Sequence, residues 1–84
     1  MYRICKPMRV APKEENMFMV SFPALDVKIE INQNVLDLLS FLVKQESFDD
    51  SVVNIYLKDN NISNKSEYDI LVEQMKEIGI IKSE

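Results

Sequence analysis

The stretch Leu25–Leu42, LDVKIEINQNVLDLLSFL, decides the fold, because its apolar spacing changes at Asn32 from every second residue to helical. Upstream, Leu25, Val27, Ile29 and Ile31 alternate with Asp26, Lys28 and Glu30, as in a strand with one dry and one wet face. Downstream, Val35, Leu38, Leu39 and Leu42 follow the i, i+3, i+4, i+7 rule of an amphipathic helix. Asn32 suits the junction, since its side-chain oxygen can accept from an early helical N–H, and Ile31 and Leu36 occupy the hydrophobic-staple positions around it. A strand thus runs straight into a helix. With one polar, unpaired edge beside helices, it is a candidate dock for a peptide.

Toward the N-terminus, Met17–Phe22 (MFMVSF) reads as a second strand, and Pro23-Ala24 leaves room only for a tight connection, so the two strands form an antiparallel hairpin. Ile4–Val10 reads as a further strand, which Pro7 confines to a sheet edge because it has no N–H. Between them Ala11–Asn16, APKEEN, reads as a turn or small wing. Met17 and Met19 face opposite to Phe18, Val20 and Phe22. Either helices or a terminus cover that second face, or it is an adaptable methionine surface.

Toward the C-terminus the pattern predicts three helices. The first spans Gln33–Lys44; the second follows Ser47 as N-cap, with Asp49 and Asp50 in its first turn and Val52, Ile55 and Tyr56 as its buried stripe. Lys58–Asn61, KDNN, stops it, and Asn64 with Glu67 has capping-box spacing for the third. That helix runs to Ile78 with an apolar face of Tyr68, Leu71, Val72, Met75 and Ile78, and Gly79 ends it by taking the left-handed conformation. Phe41 lies off the stripe of the first helix and either packs under Ser47-Phe48 or marks a contact with a partner enzyme. The expected architecture is one α+β domain over residues 1–84, a three-stranded antiparallel sheet followed by three helices.

Composition narrows function. The chain has 84 residues, no histidine, one cysteine (Cys5) and one glycine (Gly79). Zinc sites of the usual Cys/His kind, histidine acid–base chemistry and Gly-rich phosphate loops are therefore excluded. Carboxylates, Ser and Lys show no catalytic arrangement, so no enzyme activity and no cofactor are expected. The N-terminus, MYRICKPMRV, lacks the apolar run of a signal peptide and no stretch reaches membrane-spanning length, which predicts a cytoplasmic protein with no membrane partner.

Several of these residues together resemble the PqqD-like family, the peptide-recognition elements (RiPP recognition elements) of ribosomal peptide natural-product pathways. They are the step Ile31-Asn32, Val35-Leu36 and Leu38-Leu39 in the first helix, Ser47-Phe48-Asp49-Asp50 opening the second, and Leu71-Val72 to Ile78-Gly79-Ile80 closing the third. The likeness spans Met17–Ile81. It departs at Lys44-Gln45-Glu46, where many members carry Asp-Gly, and at Gln33-Asn34, where a small residue is common. The resemblance implies a winged-helix-like domain in which a precursor's leader peptide adds as an extra strand beside the third strand, in a groove against the third helix.

Elementary energetics allow that mode for these residues. About four net hydrogen bonds at ~1 kcal/mol each give roughly 4 kcal/mol, near-millimolar affinity, so side-chain pockets must supply the rest. The expected site combines the strand Val27, Lys28, Ile29, Glu30 and Ile31 with Tyr68, Leu71, Gln74 and Ile78 of the third helix. Of these, Leu71 and Ile78 read first as core, Gln74 as exposed wall, and Lys28 and Glu30 as a solvated face or as partners of charged leader side chains.

Charge weighs against the main alternative, a winged-helix DNA-binding regulator. The chain carries a net charge of −4, and in the third helix Lys65 and Lys76 are set against Glu67, Asp69, Glu73 and Glu77, the reverse of a basic recognition helix. The N-terminal arm differs, with Arg3, Lys6, Arg9 and Lys13 and no acid. It reads as a basic edge-strand face or as a contact for an acidic enzyme or leader. The expected partners are a precursor leader peptide and a peptide-modifying enzyme, with no nucleic acid; a structural adaptor between enzyme subunits is the third reading.

Overall fold

The computed structural model describes residues Met1–Glu84 and runs β1 (Tyr2–Ile4), β2 (Arg9–Glu14), β3 (Met17–Phe22), β4 (Val27–Asn32), α1 (Gln33–Val43), α2 (Asp50–Asp59), α3 (Lys65–Ile78) and β5 (Ile81–Ser83). Strands β2, β3 and β4 form an antiparallel sheet in that order, and all three helices follow it in the chain. The third strand of the sequence reading is β4. It pairs with β3 from Phe22↔Val27 to Met17↔Asn32 without interruption. Asn32 is both the last residue of β4 and the N-cap of α1, its Oδ1 accepting from Val35 N–H at 2.9 Å.

A second, two-stranded ribbon was not foreseen. β5 returns after α3 to pair antiparallel with β1, with Ile4 opposite Ile81 and Arg3 opposite Lys82. The single strand expected over Ile4–Val10 is therefore two, separated by Cys5–Met8, which includes a cis Lys6–Pro7 bond. Pro7 has no N–H for a ladder, so the chain changes sheets there instead of continuing along one edge. β2 also runs further than expected, through Pro12 to Glu14, and the reversal is confined to Glu15-Asn16, Asn16 having φ 60. Pro12 is tolerated because β2 is an edge strand.

Other local signals shift by a residue or two for identifiable reasons. A 3-10 turn takes up Pro23–Leu25, with Asp26 in the left-handed region, so β4 starts at Val27 and Leu25 leaves the strand. The cap of α2 is Asp49, not Ser47. Phe48 exchanges backbone hydrogen bonds with Tyr2 (2.7 and 2.8 Å), which keeps the chain extended up to Asp49, whose Oδ1 then accepts from Val52 N–H. The Ser51 hydroxyl and that N–H hold the Asp49 carboxyl below its ordinary pKa. At α3, Asn64 does not cap through its side chain; its amide donates to Glu67 Oε2 at 2.8 Å.

The core is drawn from every layer: Val20 and Phe22 from β3, Leu38, Leu39 and Leu42 from α1, Tyr68, Val72 and Met75 from α3, and Ile80-Ile81 after it. The buried residues of α2 are Val53 and Leu57, an i, i+4 pair, while Val52 and Tyr56 are half-buried and Ile55 points outward. This corrects the stripe read from the sequence. Phe41 packs on Tyr56, ring centroids 4.8 Å apart, rather than under the Ser47-Phe48 loop. Met17 and Met19 are half-buried and do not join the core cluster, unlike Phe18 and Val20. No helix is long and apolar enough to cross a membrane.

These caps make distinct predictions for denaturant unfolding. Asn32→Ala should cost about 1 kcal/mol and Ser47→Ala less than about 0.5 kcal/mol. Because the folded pKa of Asp49 is depressed, its contribution is present above the unfolded carboxylate pKa and is lost as pH falls through the folded value. Asp49→Asn should therefore flatten the acid limb of a stability–pH curve; an unchanged limb would remove Asp49 from the cap.

Candidate functional site

β4 lies on the rim of its sheet, with β3 on one side and no strand on the other. In an antiparallel pair alternate residues turn both N–H and C=O outward, so three of its six residues offer unpaired backbone along the rim. The two rims of the sheet are unlike. That of β2 is blunted by Pro12 and by a register irregularity between Pro12 and Glu14, whereas β4 has no proline and pairs in regular register throughout.

Helix α3 comes near β4 at two places, the turn that precedes the strand and the strand's last residue. At its C-terminal end, Leu25 packs on Gly79, Cδ2 lying 3.6 Å from where a Cβ would stand. At the other end of β4, Asn32 and Val35 face Tyr68, Leu71 and Gln74 across a cleft of about 300 Å³ that Ile70 and Glu67 also line. Glu67, Leu71, Gln74 and Ile78 follow one another at spacings of four, three and four, and so form a single row on α3.

Of the expected site residues, Tyr68, Leu71 and Gln74 meet at this cleft. Ile78 continues their row but is 47% exposed, which corrects its reading as core. The buried stripe Tyr68, Val72, Met75 continues to position 79, where glycine has no side chain and Leu25 fills the space, so Ile78 falls to one side. Val27 and Ile29 are half-buried and Ile31 is buried, while Lys28 and Glu30 alternate to the exposed face. There Glu30 pairs with Lys13 of β2 across the sheet. Of β4, however, only Asn32 lines the cleft: the expected strand residues Val27, Lys28, Ile29, Glu30 and Ile31 are not among its walls, and Lys28 and Glu30 lie on the exposed face.

Sequence reasoning missed Ile70, Asn32 and Val35 as wall residues. Ile70 is 61% exposed, and its signal was available: an isoleucine off the apolar stripe, four residues before Gln74. Asn32 and Val35 had already been assigned to a cap and to the core. Beyond Asn32, Asn64 and Tyr68, which line both hollows, the cleft opens into a second of about 370 Å³ that Asn34, Asn60 and Asn61 make rich in amides. Burial raises the pKa of Tyr68, and the charges of Asp37 and Glu67 raise it further. Its phenol is therefore a neutral hydroxyl, donor and acceptor at once, where the two hollows join.

Comparisons with protein-family models, with curated proteins and with solved structures find no match to this chain.

If the row on α3 is surface and not core, its substitution should leave stability nearly intact. Ile70→Ser and Ile78→Ser should each change unfolding free energy by no more than about 0.5 to 1 kcal/mol, whereas Met75→Ala should cost about 2 to 4 kcal/mol. Equal losses at Ile78 and Met75 would return Ile78 to the core.

Proposed function

We propose that this chain is a cytoplasmic peptide-binding module that captures the leader segment of a ribosomally made precursor and delivers it to a modifying enzyme. The leader adds as a strand to the open rim of β4, against α3. The carrying observation is the asymmetry of the sheet: the rim of β2 is blunted, while that of β4 is regular and ends at Asn32 in a cleft walled by the exposed Ile70 of α3. The resemblance to the PqqD-like family supports the same reading, since it assigns the leader to the strand and helix that border this cleft.

Magnitudes favour such a division of labour. Backbone pairing contributes roughly 4 kcal/mol and carries no sequence information. Partial burial of Ile70 and Ile78 under leader side chains adds roughly 2 to 3 kcal/mol, moving affinity from millimolar toward about 10 μM. Leu71, Gln74 and the Tyr68 hydroxyl supply discrimination. The module performs no chemistry of its own. Holding the leader raises the effective concentration of the attached core segment at the enzyme's active site.

A titration of ¹⁵N-labelled protein with the leader peptide tests this. Amide shifts should concentrate in Val27–Asn32 and along Glu67–Ile78, and a proline in the leader's central segment should weaken binding by removing a ladder hydrogen bond. Ile70→Asp should weaken it about tenfold, from the loss of roughly 1.5 kcal/mol of apolar contact. Affinity indifferent to the proline would sink strand addition. Salt-sensitive binding to duplex DNA without peptide binding would support the DNA-binding regulator instead.

A further inference from the structure

The basic N-terminal arm of the sequence is divided by the fold. Lys13 pairs with Glu30, and Arg9 lies with Lys28 beside Asp26 in a hollow at the Pro23–Asp26 turn. Arg3 and Lys6, in contrast, join Lys82 of β5 around a separate concavity of about 390 Å³, bounded by Gln45 and Glu46 and backed by buried Ile4 and Cys5. All three cations are exposed, and none takes part in the ion pairs of the structure, which use Lys13, Lys65 and Lys76.

Arg3 and Lys82 are direct cross-strand partners in the β1–β5 ribbon. Their side chains share one face, and like charges directly opposite one another destabilise a strand pair. Lys6 adds a third positive charge, and Glu46 is the one acid on the rim. An occupant with several carboxylates would relieve this repulsion.

We propose that this concavity is a docking site for an acidic segment of a protein partner, distinct from the peptide held at β4. The chemistry separates this occupant from others. A hollow of this size with cations on two strands and a loop fits spaced carboxylates better than one small anion, and two of its three cations are lysines, which act as point charges. Nucleic acid needs a longer basic track, and here the net charge is −4. The site is also separate from the groove. The groove adjoins Asn32 and Val35 at the start of α1 and the basic concavity adjoins Gln45 and Glu46 beyond its end, with an eleven-residue helix of about 16 Å between.

The test uses a labelled oligo-glutamate peptide as probe, with oligo-glutamine and inorganic phosphate as controls, read by amide shifts and anisotropy. Oligo-glutamate should shift Arg3, Lys6, Glu46 and Lys82, and its binding should fade as salt shortens the screening length from ~10 Å at 0.1 M to ~3 Å at 1 M. Arg3→Glu should weaken the probe about tenfold while raising the thermal midpoint, because the new carboxylate faces Lys82 across the ribbon. Lys6→Gln, in the connection between strands, should weaken binding without that stabilisation, and Ile70→Asp in the groove should leave it unchanged. Absent binding, shifts centred on Arg9 and Lys28, equal shifts with phosphate, or shifts explained by self-association through the acidic face of α3 would each overturn the proposal.

Discussion

The cleft at the end of β4 depends on where α3 is tied. The helix ends at Gly79, whose φ of 99 lets the chain reverse at once, and Ile80 and Ile81 then enter the core at 0% and 2% exposure. Cys5 N–H donates to Ile80 C=O at 2.8 Å and Ile4 pairs with Ile81, so the end of α3 is fixed to the β1–β5 ribbon. A Cβ at position 79 would meet Leu25 at ordinary contact distance. Conformation, not space, therefore makes glycine fit: another residue held in the left-handed region would cost about 1 to 2 kcal/mol. Anchored to this ribbon, the helix meets Leu25 just before β4 and stands across a cleft from Asn32 at its end.

Lys76 reinforces that anchor from the middle of the helix. Its ammonium lies 4.3 Å from the centroid of the Tyr2 ring and 3.1 Å from both Asp50 of α2 and Glu73 of its own helix. Burial works to lower its pKa, but the hydrogen bonds it donates to the two carboxylates outweigh it and hold the pKa above the ordinary lysine value. Tyr2 in turn bridges to Phe48, their rings 6.1 Å apart. One cation thus links α3 to the start of α2 and to β1.

What the sequence disclosed, and what it hid, follows from the range of each interaction. The alternation before Asn32, the helical spacing after it and the left-handed Gly79 are local, and all were legible. The β1–β5 pairing joins residues some eighty positions apart, and its three-residue strands are too short for a periodic signal. In sequence Ser47 reads as the cap of α2, with Asp49 in its first turn; the bridge from Tyr2 to Phe48 moves the cap to Asp49, and no local rule contains it. The site divided in the same way. Tyr68, Leu71 and Gln74, expected on the third helix from the resemblance and, for Leu71 and Gln74, from helical spacing, do share a cleft. Ile78 reads as core because the sequence does not show that Leu25, more than fifty residues earlier, packs where the stripe reaches position 79.

An exposed, regular sheet rim is ordinarily a hazard, because it pairs with any extended chain, including another copy of itself. Along β2 that hazard is met within the strand, by Pro12 and broken register. Along β4 the backbone stays competent to pair, and α3 stands across a cleft from it at the Asn32 end. At that end a second folded sheet would have to bring its full width past the helix, whereas a single extended peptide needs only the width of one strand, about 4.8 Å in the pairing direction. On the proposed reading, the helix that would read the side chains of a bound peptide would also hinder a second sheet at that end of the rim, so selectivity and protection against edge-to-edge association would share one placement of α3.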